Sequence, residues 1–97
     1  MYRPDAGRTS LYRICDGSGQ LLYVGIATDP ERRVNVHRWD TTKKWRREIA
    51  EFRAEWFDTR CEAEKAEVSA IRSERPLHNR RYHPDYGDAP WSSNTAA

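Results

Sequence analysis

Apolar and polar positions along this chain repeat with two different periods, and the change of period marks out the elements. Residues 10–15 and 21–26 are short apolar and aromatic runs separated by Asp16-Gly17-Ser18-Gly19-Gln20. That pattern predicts a β-hairpin, with glycines where the turn needs positive φ. Thr28-Asp29-Pro30-Glu31 then reads as a helix start. Thr28 caps, Pro30 suits the first turn, and Glu31 completes a capping box. This helix is expected to run to residue 38 or 39, and a second helix to cover residues 43–50. Residues 52–58 set Phe52, Ala54 and Trp56 against Arg53, Glu55 and Phe57, which fits a third strand of mixed exposure. Thr59-Arg60-Cys61-Glu62 is another capping box, opening a helix that continues to Glu74 and stops at Pro76. The order ββααβα predicts an α+β fold in which helices pack against a small three-stranded sheet.

Residues 1–9 and 84–97 lack periodicity and read as a flexible arm and a flexible tail, leaving residues 10–83 as one domain. Trp91 is the candidate for folding the tail back onto the body. The composition is polar, with 37% hydrophobic and 33% charged residues, but four Trp and five Tyr supply buried area from few positions. No apolar run reaches the length of a membrane span, and no basic-then-apolar leader follows Met1, so a cytoplasmic protein is expected. Cys15 and Cys61 are the only cysteines, show no metal-ligand spacing, and are read as small buried side chains.

The net charge of +2 says little about partners, whereas its distribution says more. Residues 32–47 hold seven Lys or Arg against Asp40 alone, and residues 72–83 hold four Arg and two His against Glu74 alone. Trp39, Trp45 and Tyr82 are interleaved with these blocks, which favours a nucleic-acid surface over two merely solvated faces. Arg32, Arg38, Lys43, Lys44, Arg46 and Arg47 are the candidate contacts to its backbone, and Trp39 or Trp45 is a candidate stacking platform.

One carboxylate is out of place. In the last helix Ala63, Ala66, Ala70 and Ile71 gather on one face, and Glu67 falls in the middle of it. A carboxylate turned towards the body of a protein needs a cation or a metal. An ion pair with an arginine of the first helix and a metal site both satisfy that need. Arg33 and His37 are four residues apart on the first helix, as neighbours in a basic face would be. Tyr12 and Tyr23 sit on adjacent hairpin strands, where cross-strand packing alone would explain them.

Taken together, these residues resemble the GIY-YIG endonuclease domain over residues 10–79. The first motif stands as Ser10-Leu11-Tyr12 and the second as Tyr23-Val24-Gly25. Arg33, His37 and Glu67 follow at the family's positions, and Asn79 closes a Pro-x-x-Asn ending that begins at Pro76. Ser10 replaces the motif glycine, Leu11 and Val24 replace its isoleucines, and Ile26 stands where some relatives carry lysine. The resemblance implies a three-stranded antiparallel sheet flanked by helices. It further implies a metal-dependent endonuclease acting on nucleic acid, DNA more than RNA, with little sequence specificity and an accessory protein to direct it. By the same resemblance Glu67 would hold one Mg²⁺ or Mn²⁺, Arg33 would bind the phosphate, and Tyr12 would be the base with Tyr23 orienting water or phosphate. The two tyrosine roles are interchangeable at this level. His37 would relay a proton or contact phosphate, Gly25 would allow close backbone approach, and Asn79 would tie the last segment to the hairpin. The competing expectations are a catalytically silent nucleic-acid-binding module and a protein-interaction adaptor.

Overall fold

The computed structural model describes residues 8–79 and Tyr82. The expected tail with Trp91, residues 1–7 of the expected arm, and Arg80, Arg81 and His83 of the second basic block lie outside the described residues. Three strands, β1 (Thr9–Cys15), β2 (Leu21–Ala27) and β3 (Glu51–Phe57), form one antiparallel sheet in the order β2-β1-β3. Two helices, α1 (Pro30–Trp39) and α2 (Arg60–Glu74), complete the α+β fold.

The β1–β2 turn is held by Asp16, whose Oδ1 accepts from the backbone N–H groups of Ser18 and Gln20 at 2.9 Å each. Of its two glycines, only Gly19 adopts positive φ (87°), so the expectation for Gly17 is corrected. Ile14 faces Tyr23 while Cys15 faces Leu21, which leaves Leu22 as an extra residue in β2. This bulge interrupts the alternation. Leu22 and Tyr23 both pack on the first face of the sheet, with Tyr12, Ile14, Val34 and Trp45. Leu21 and Val24 pack on the second, with Leu11, Ala70 and Ile71 of α2.

Helix α1 starts one residue later than its sequence suggests. Asp29, not Thr28, is the cap, its carboxylate accepting from Arg32 N–H at 3.1 Å. The shift moves Glu31 out of register for the capping box. The segment expected as a second α-helix is a five-residue 3₁₀ turn, Lys44–Glu48, with no side-chain cap at Lys43. One short turn is all that Trp45 needs to reach the core, and the chain leaves it in extended conformation at Ile49. Helix α2 matches its expected bounds. Thr59 caps it at 3.1 Å from Glu62 N–H, and Arg75 ends it in the left-handed region at φ 53°. Arg13 of β1 grips Glu74 near its end through two bonds of 2.8 and 2.7 Å. Both cysteines are free: Cys15 is buried as expected, but Cys61 is exposed because it lies on the outer side of the first turn of α2.

Strand β2 is an edge, and the segment after α2 covers it. Leu77 and His78 donate their N–H groups to Leu21 and Leu22 carbonyls at 3.2 and 2.9 Å. Asn79 then binds the Val24 peptide from both sides, Oδ1 accepting from its N–H at 2.8 Å and Nδ2 donating to its carbonyl at 2.9 Å. Val24 and Asn79 are both buried, so losing this side chain strands a donor and an acceptor. Asn79→Ala should therefore lower the unfolding free energy by about 2 kcal/mol or more in urea titrations. A change below about 0.5 kcal/mol would show that the clamp contributes little.

Candidate active site

Alternation on β1 and β2 aims Tyr12, Tyr23 and the bare backbone of Gly25 at the same face, where α1 delivers His37 and the 3₁₀ turn delivers Trp45. The Tyr12 hydroxyl lies 3.0 Å from His37 Nε2, a buried hydrogen bond between residues 25 apart in sequence. Tyr23 lies beside both, with ring centroids 6.3 Å from Tyr12 and 4.7 Å from His37. Trp45 forms the floor. It is 9% exposed and stacks on Tyr23 at 5.6 Å and on His78 at 5.1 Å.

Electrostatics brings in the two charged members. Burial pushes the Tyr12 hydroxyl well above the ordinary phenol range, and Tyr23 raises it further. Arg33 pulls it back by its charge and as a hydrogen-bond donor, while the Glu67 carboxylate raises it. Tyr23 is raised by burial and by Glu67, and lowered by Arg33. Both tyrosines thus feel the same cation from α1 and the same anion from α2. The fold therefore collects Tyr12, Tyr23, Arg33, His37 and Glu67 in one place, although α2 packs mainly on the opposite face of the sheet. Glu67 is half-buried on the face that Ala63, Ala66, Ala70 and Ile71 form.

Among the described residues, His37 is the more perturbed of two imidazoles. Burial lowers its pKa from 6.5 to about 4, helped by the charges of Lys43 and Arg33 and opposed by Asp40. Its Nδ1 is buried without a hydrogen-bond partner among the described residues. The ring is therefore neutral at pH 7. The unfolded chain binds the extra proton, so the stability due to neutral His37 is complete above pH 6.5 and is lost as pH falls towards 4. The loss should be on the order of 3 kcal/mol. Urea unfolding at pH 7 and at pH 4.5 should show it, and His37→Gln should flatten that part of the pH dependence. Parallel profiles for the two proteins would contradict the assignment.

No group of three or more His, Cys, Asp or Glu among the described residues could cage a metal ion. The site fits a divalent cation in another way. Glu67 offers hard oxygen beside a tyrosine pair, and substrate phosphate and water would have to supply the remaining ligands.

Among the candidate backbone contacts, Arg32, Arg38, Lys44 and Arg47 are exposed. Lys43 is committed to Asp40 at 2.7 Å, and Arg46 reaches back to the Arg38 carbonyl at 3.3 Å. Of the three aromatics interleaved with the basic blocks, Trp45 and Tyr82 are used by the body of the protein, and only Trp39 is exposed. A cleft lined by Ile26, Thr28, Asp29, Arg32, Arg33 and Arg60 opens where β2 meets the starts of both helices. Arg60 was not singled out by its sequence context, since the first residue of a helix reads as ordinary solvated charge until α2 is placed beside α1.

Residues 8–82 match the family model of the GIY-YIG catalytic domain. No curated protein sequence matches the chain significantly.

Proposed function

The chain belongs to the GIY-YIG catalytic domain family, a family of generally metal-dependent endonucleases, and from that premise we propose that it hydrolyses nucleic-acid phosphodiester bonds at the Tyr12–His37 site. The observation that carries this reading is the convergence of a buried tyrosine–histidine hydrogen bond with one arginine and one carboxylate acting on the same hydroxyl.

The chemistry needs an activated water and stabilisation of the charge that develops on phosphorus-bound oxygen. Arg33 is exposed beside the tyrosines and binds a non-bridging oxygen. Tyr12 is too weak an acid to stand as a free phenolate in a buried site. The 3.0 Å contact offers another route, in which Tyr12 takes a proton from water while passing its own to His37 Nε2. This requires the tautomer with the proton on Nδ1. It also requires His37 to become more basic when substrate is bound. An arriving phosphate does that by offsetting Arg33 and Lys43, the two cations that depress its pKa. Tyr23, held between His37 and Trp45, orients the water or the phosphate. Glu67 would hold one Mg²⁺ or Mn²⁺, which supplies Lewis-acid stabilisation of the phosphate charge.

The exposed arginines of α1 and the 3₁₀ turn grip the backbone without reading bases, which favours cutting with little intrinsic sequence specificity. We take DNA as the substrate ahead of RNA, and an accessory protein as the source of targeting, in a cytoplasmic setting. Among the described residues no helix is long and apolar enough to cross a membrane. The test is cleavage of labelled single-stranded DNA, duplex, branched DNA and RNA with Mg²⁺, Mn²⁺ or EDTA. Cutting of DNA that needs the metal is the expected result. Folded protein that binds these substrates and cuts none of them would establish the silent-module reading instead.

A further inference from the structure

We propose that Trp39 and the outer groove of α1 form a stacking site for an unpaired base flanking the scissile phosphate, so that the preferred substrate has a single-stranded segment next to the cut. This rests on the nuclease reading for its purpose, but not for its test.

The groove has a volume of about 450 Å³ and is lined by Arg32, Asn35, Val36, Trp39 and Asp40. Arg32, Val36 and Trp39 lie three and four residues apart, so they form one stripe along the helix. Val34 and His37 are the buried residues of α1, and at roughly 100° per residue the stripe points almost directly away from them. The core thus makes no use of this face. Yet it carries Trp39, 80% exposed, and Val36, 46% exposed. Trp45, the other tryptophan of the basic segment, is stacked on Tyr23 and His78 and has no such surface to offer.

Two observations say what covers the face. The first is continuity: Arg32 and Val36 also line the cleft that contains Arg33 and Arg60, so groove and cleft form one path leading away from the candidate site. The second is charge. Arg32 is itself part of the stripe, Arg33 lines the adjoining cleft, and Arg38 reaches Asn35 of the groove lining at 3.5 Å, and all three are exposed. The one acidic lining residue, Asp40, is held by Lys43 at 2.7 Å and by the Thr42 hydroxyl at 2.6 Å, which offsets its repulsion of an anion. An aromatic face at the end of a cationic path fits a polyanion that carries flat bases. Pairs inside a duplex have both faces covered by their neighbours and cannot lie on Trp39, which selects an unpaired strand.

The experiment measures binding of the full chain in EDTA, where cleavage is suppressed. The probes are a labelled oligothymidylate and a duplex closed at both ends by non-nucleoside linkers, which leaves it neither unpaired bases nor an open terminal pair. Trp39→Ala should weaken oligothymidylate binding about tenfold, Trp39→Phe should retain most of it, and duplex binding should change less than twofold. Equal affinity of wild type and Trp39→Ala for the oligothymidylate overturns the proposal, as does an equal loss for both probes. Wild-type protein that is dimeric where Trp39→Ala is monomeric also overturns it, because the face is then covered by a second copy. A protein that cuts nothing but shows the expected selective loss keeps this site and refutes only the nuclease reading.

Discussion

Glu67→Gln should reduce phosphodiester cleavage by at least about 10³-fold while leaving the fold intact, a loss of roughly 4 kcal/mol of transition-state stabilisation. Glutamine keeps the volume of the side chain on the small-residue face of α2, where Ala63 and Ala70 are buried, and removes only its charge. The direction of the effect separates two roles. Glu67 raises the pKa of both Tyr12 and Tyr23. If the carboxylate were only a background charge, neutralising it would make either tyrosine a stronger acid and would leave cleavage unharmed or improved. If it is the oxygen that holds a divalent cation, the same change removes the charge that the phosphate needs. Single-turnover cleavage across a Mg²⁺ or Mn²⁺ titration, with thermal unfolding run in parallel, distinguishes these. Undiminished cleavage rejects the metal-ligand role. Lost cleavage with a matching loss of folded protein would make Glu67 a structural ion-pair partner, the other arrangement its position allows.

The sheet and both long helices were legible because their signals are local. Alternation over a few residues, a glycine-bearing turn, and a threonine cap ahead of α2 each act within one element. Three features depended on context that a linear reading lacks. Thr28 and Asp29 are both competent caps, and the choice of Asp29 is a matter of one residue in where the strand releases the chain. The Leu22 bulge depends on pairing with β1 and has no glycine or proline to announce it. Trp39 and Trp45 are equivalent in a basic aromatic segment until the 3₁₀ turn buries one and leaves the other in solvent. The candidate site divides in the same way. Glu67 stood out by helical period alone, but Tyr12, Arg33 and His37 had adequate bland readings, and only motif order joined them. Their electrostatic coupling is a property of the fold, since the sequence separates Tyr12 from Glu67 by most of the domain.

The second large effect centres on Tyr12. Tyr12→Phe should lower cleavage about 10²- to 10⁴-fold, the range expected for loss of a general base, at a stability cost near 1 kcal/mol for one buried hydrogen bond. Gly25 provides the independent check. It faces Tyr12 across the β1–β2 ladder, and its φ is not in the left-handed region, so its conformation suits any residue. The obstacle is space. A Cβ at Gly25 would stand 2.6 Å from Tyr12 Cζ and 2.9 Å from Cε2, with the hydroxyl nearer still. Tyr12 is buried beside Tyr23 and His37 and cannot yield without leaving His37 Nε2. Gly25→Ala should therefore cost about 1–3 kcal/mol of stability and remove most of the activity by displacing the hydroxyl. Adding Tyr12→Phe to Gly25→Ala deletes the most crowded atom, so the double variant should regain part of the stability and none of the activity. Additive losses of stability would mean that the two residues do not meet. An active Gly25→Ala variant would mean that the Tyr12–His37 contact is dispensable, and with it the proton route through His37.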